Sequence, residues 1–192
     1  MTEITSAHAE WAVVDRLRSM LNETPHAQYN VTQSYGLCVA ILAWVMQRVR
    51  TPENAANSQE DRAAISVKAA LDAQNVEALP WGLKTGGLGP VNSDFLGFTA
   101  FNFLKWLRDA SCHGDARQVF PVNSGGSLRG FELRATAKKD RERSLILSEI
   151  DLRRIGIALA TMYCRALQSA ASPASNHFVQ DAQSMCEERI AA

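Results

Sequence analysis

Apolar positions recur along this chain at two different spacings. Over Ser6–Leu21, Trp11, Val13, Val14, Leu17, Met20 and Leu21 fall on one side of a 3.6-residue repeat, so this stretch reads as an amphipathic helix. Val31–Val49 is apolar nearly all round and reads as a helix central to the core. Asp61–Leu71 is a weaker helical pattern. Pro80, Gly82, Gly86, Gly87 and Gly89 mark Leu79–Gly89 as a loop. Asn92, Ser93 or Asp94 then offers a cap for an aromatic-rich helix carrying Phe95, Phe98, Phe101, Phe103 and Trp106, expected to run to about His113.

The period changes after that helix. Phe131 and Leu133 alternate with Glu132 and Arg134, and Asn123-Ser124-Gly125-Gly126-Ser127 supplies a turn, so residues 117–137 read as a β-hairpin. Residues 137–143 read as a charged connection. Ser148–Leu167 is a strong helix with Ser148 and Asp151 as a capping pair. Pro173 interrupts, and residues 176–190 suit a tail helix. The expected architecture is all-α: a single domain over 1–192, a compact helical bundle with its core at 31–167 and one inserted β-hairpin.

Composition narrows the class. The 192 residues carry 20 basic and 20 acidic side chains, so no global charge draws the protein to nucleic acid or an anionic membrane. The basic excess is local: residues 103–143 carry a net +4. The four cysteines, at 38, 112, 164 and 186, lie too far apart in sequence for a zinc clasp, and Cys38 and Cys164 read as core residues. The longest apolar run, Leu37–Met46, is too short to span a bilayer, and the first 22 residues lack the apolar segment of a secretory leader. A cytoplasmic protein without membrane contact is expected. The four tryptophans read as core or rim packing.

Candidate chemistry lies at the end of the aromatic helix, in Arg108-Asp109-Ala110-Ser111-Cys112-His113-Gly114-Asp115. A guanidinium holds a phosphate through paired hydrogen bonds, and an imidazole moves a proton near neutral pH. Five residues turn a helix by about 500°, leaving Arg108 and His113 about 140° apart. They meet only if the last turn unwinds at Gly114, or across a two-fold dimer axis. Either way the helix end should face a cleft. The same residues have a plainer reading, in which His113 faces the helix dipole and Arg108 pairs with Asp109 or Asp115. A Cys112–His113 nucleophilic dyad is disfavoured because helix neighbours point about 100° apart.

The run Arg108 to His113 resembles the Arg-x4–6-His signature of the HEPN superfamily, with polar Asp109 after the arginine. The order of elements from Val31 to Leu167 is also similar to HEPN proteins of plasmids and bacterial defence islands. The resemblance implies a helical bundle that dimerises, its signature helices lining one cleft. It implies a metal-independent endoribonuclease, with roles in toxin–antitoxin or anti-phage defence and an antitoxin or other regulatory protein as partner. Arg108 and His113 would be catalytic and Asp109 supporting. RNA would be held by Arg117, Arg129, Arg134, Lys138 and Lys139. No metal or other cofactor is expected. The alternative is a non-catalytic dimeric module of the same fold binding RNA, a nucleotide or a partner protein.

Overall fold

The structure, a computed structural model, describes residues 9–23, 29–50, 58–76, 81, 93–112, 119–136 and 142–170. The expected tail helix at 176–190 and most of the glycine-rich loop lie outside these residues. The elements run α1 (Ala9–Asn22), α2 (Asn30–Arg50), α3 (Gln59–Asp72), α4 (Ala100–Cys112), β1 (Val119–Ser124), β2 (Ser127–Thr136), β3 (Glu142–Ser148) and α5 (Glu149–Ala170). α5 packs against α1, α2, α3 and β3, while α4 packs against α2, α3 and β2. Among the described residues no helix is long and apolar enough to cross a membrane.

Local chemistry sets the helix starts. Ser58 accepts from Asp61 N at 3.0 Å and its own N–H donates to the Asp61 carboxylate, a complete capping box for α3. Ser148 and Asp151 repeat the device at α5, and here the box is buried. Gly156 lets α5 lie close to its neighbours: a Cβ there would stand 2.5 Å from Leu21 Cδ2 and 3.5 Å from the Cys38 backbone. Across one end of the bundle Tyr163 donates to Glu10 at 2.7 Å, and Arg48 pairs with the same carboxylate. This joins α1, α2 and α5.

Two expectations are corrected. The insert is a three-stranded antiparallel sheet in the order β1-β2-β3, not a hairpin. Glu142–Ser148 pairs with β2 and buries Leu145 and Leu147 beside Leu133. Its charged flank concealed the alternation. The aromatic helix also starts later than its sequence suggests. Ser93–Phe95 forms a separate 3-10 turn, Gly97 takes φ 79°, and α4 begins at Ala100 with Thr99 Oγ1 accepting from Asn102 N. Phe95 still joins the cluster, edge-on to Trp106 at 4.7 Å.

The tryptophans divide as core and rim: Trp81 is fully buried, Trp106 nearly so, and Trp44 is exposed. α2 is thus less enclosed than its composition implies. Cys38 and Cys164 are buried, and burial pushes both thiols up to about 12.

Candidate functional site

α4 carries its apolar face into the core through Phe103, Leu104, Trp106, Leu107 and Ala110. Arg108 belongs to that buried side and is only 7% exposed. The expectation that this helix end opens into a cleft therefore fails for the guanidinium within one protomer. Arg108 Nη1 lies 3.0 Å from Asp109 Oδ1, and Asp109 is the more exposed partner. The structure thus brings two predicted site residues together, in the ion pair that the plainer reading also anticipates. His113, the third, follows Cys112 in sequence and lies outside the described residues, as does Asp115.

Sequence spacing alone did not reveal the surroundings of this pair. Tyr35 of α2 stands over Phe131 of β2, ring centroids 4.5 Å apart. Burial raises the Tyr35 phenol, and the nearby Cys112 and Cys38 thiols add to the rise. Cys112 itself is half-buried at the last position of α4. Burial pushes its thiol up, against the lowering influence of Ser111 and Arg108. A thiol held protonated at neutral pH is a poor nucleophile, which argues against a Cys112-based dyad. Ser111 Oγ donates to Leu107 O at 2.6 Å and is occupied in the helix. Tyr35 carries a one-residue signal at most: a polar-tipped aromatic just before the apolar run of α2.

Of the predicted RNA contacts, Arg129 and Arg134 belong to the described residues, both on β2. Arg117, Lys138 and Lys139 lie outside the described residues. Arg134 sits 4.7 Å over the Phe120 ring and its Nε donates to Glu132 at 2.7 Å. The Arg134 guanidinium holds the Glu132 carboxyl below the usual carboxylate range. Arg129 lies in the wall of a groove of about 530 Å³ between the starts of α2 and α5 and the β1–β2 turn. Among the described residues, no three His, Cys, Asp or Glu side chains are grouped to hold a metal ion.

Compared with known proteins, the chain matches no family model, no curated protein and no solved structure.

Proposed function

We propose that the chain is a metal-independent endoribonuclease of HEPN type, acting as a cytoplasmic homodimer in a toxin or defence role. The observation that carries this reading is the Arg108–Asp109 pair, fixed at 3.0 Å on the last turns of α4 and followed in the chain by Cys112 and His113. RNA brings its own nucleophile. A base removes the ribose 2′-hydroxyl proton, the 2′-oxygen attacks phosphorus, and the P–O5′ bond breaks as an acid protonates the leaving oxygen. His113 takes one of these proton-transfer roles. Arg108 stabilises the charge on the phosphoryl oxygens, with Asp109 orienting it. Supporting the reading are the helical bundle, the position of the pair at a helix end, and the half-exposed Asp109 beside it.

One observation favours a second reading. Arg108 is covered in the protomer, which suits a guanidinium that shapes a dimeric binding module for RNA, a nucleotide or a partner protein without cutting anything. Incubating the protein with single-stranded RNA in excess EDTA separates the two. The nuclease yields 2′,3′-cyclic phosphate ends, and His113→Ala removes cleavage by about 10²-fold or more. The binding module retains RNA equally in both proteins and gives no product at any pH.

A further inference from the structure

The groove of about 530 Å³ is lined by Tyr29, Asn30, Thr32, Ser127, Arg129 and Glu149, among others. Its volume falls within the roughly 300–1,000 Å³ typical of small-ligand sites. Three features give it chemical direction. Tyr29 is 62% exposed on its rim, a large aromatic surface left in water. Arg129 occupies a break in strand register: Val122 pairs with Gly130 and Asn123 with Leu128, so Arg129 has no cross-strand partner on β1. Such bulges re-aim a side chain, here to the groove wall. Glu149 is the third. Asn30 Nδ2 donates to its Oε2 at 2.7 Å, and Arg153 Nη1 stands 3.9 Å from its Oε1. Asn30 is itself tied down, its Oδ1 accepting from Val31 N at 2.9 Å. The carboxylate is therefore held in one orientation before any ligand arrives.

A carboxylate in the wall disfavours a bare anion, and an arginine disfavours a bare cation. A ligand is needed that carries an anionic group, a flat ring and adjacent N–H donors. Among the RNA bases only guanine presents two neighbouring donors on one edge, N1–H and the 2-amino group. Adenine, cytosine and uracil each set an acceptor against the same carboxylate. We propose that this groove is a guanine-reading site, taking a guanine base that carries a phosphate. The Glu149 carboxylate accepts from N1–H and the 2-amino group, Tyr29 stacks on the ring, and Arg129 meets the phosphate. The site is separate from the Arg108–Asp109 pair and does not depend on cleavage there.

The test is binding to strands that cannot be cut. 2′-O-methyl oligouridylates carrying one central guanine or one central adenine are titrated by fluorescence anisotropy, with guanosine 5′-monophosphate and adenosine 5′-monophosphate titrated in parallel by calorimetry. The guanine ligand should bind about tenfold tighter than its adenine counterpart. Glu149→Gln should erase that preference. Tyr29→Ala, at an exposed position, should weaken binding of both ligands about tenfold with the thermal midpoint unchanged. A guanine preference in the oligonucleotides alone assigns the site to an RNA strand, and one in the mononucleotides alone to a free nucleotide. Equal affinity for guanine and adenine in both formats, no binding in either, or a preference that survives Glu149→Gln overturns the proposal. Because the oligonucleotides lack the 2′-hydroxyl nucleophile, these outcomes are independent of whether Arg108 and His113 cut RNA.

Discussion

Two arginines of this protein stand in opposite settings. At the end of α4, Arg108 is packed into the protein boundary, its charge met by Asp109. In the groove, Arg129 sits exposed at a strand bulge, beside an exposed Tyr29 and a carboxylate held by Asn30. The first arrangement holds its geometry through burial, and opening it to a phosphate requires movement of the helix end. The second is open as it stands. A motif in sequence marks residue types, whereas access to a ligand depends on which of them the fold leaves uncovered.

The contrast is broken most directly at Arg108. Arg108→Ala should lower RNA cleavage by about 10²- to 10³-fold if the guanidinium stabilises the transition state. It should also cost about 1–2 kcal/mol in urea unfolding, less than a fully buried pair because Asp109 is partly solvated. A stable, fully active Arg108→Ala protein would remove the α4 end from function altogether. Next in size is Tyr35→Ala, which strips the ring from Phe131 and should cost about 2 kcal/mol, whereas Tyr35→Phe should cost less than about 1 kcal/mol. A large loss with Phe would mean that the hydroxyl, not the ring, matters there.

An alkaline titration examines the buried side of the contrast. The folded protein holds the Cys38 proton to about pH 12, while an ordinary thiol releases it near 9.0. The folded state therefore binds more protons between these values, and stability, complete below pH 9, falls as pH rises toward 12. Cys38→Ala should make that fall shallower, with Cys164 supplying a similar remainder, measured as unfolding free energy against pH; an unchanged slope would place its origin elsewhere. Ser148→Ala should cost about 1 kcal/mol by removing the α5 cap. The smallest effect is expected at Arg129. Arg129→Ala should leave stability within about 0.5 kcal/mol while weakening binding of guanosine 5′-monophosphate in the groove. A marked drop in thermal midpoint would show that this arginine holds the fold.

Sequence spacing by itself determined the helices α1, α2, α3 and α5 to within a few residues, the Ser148 cap, the Gly125-Gly126 turn and the placement of Arg108 and Asp109 on one helix. Each of these depends on neighbours only a few residues away, so the local pattern suffices. Tertiary structure decided the rest. β3 exists because β2 offers it a ladder, and its Arg143 is buried over Phe98. Gly97 divides an aromatic run that periodicity joins, allowing Phe95 to fold back on Trp106. The Tyr35–Phe131 contact arises between segments distant in the chain, and the bulge at Arg129 from the register in which β1 and β2 pair. Register, burial and the meeting of side chains from different elements are set by packing, which no local spacing encodes.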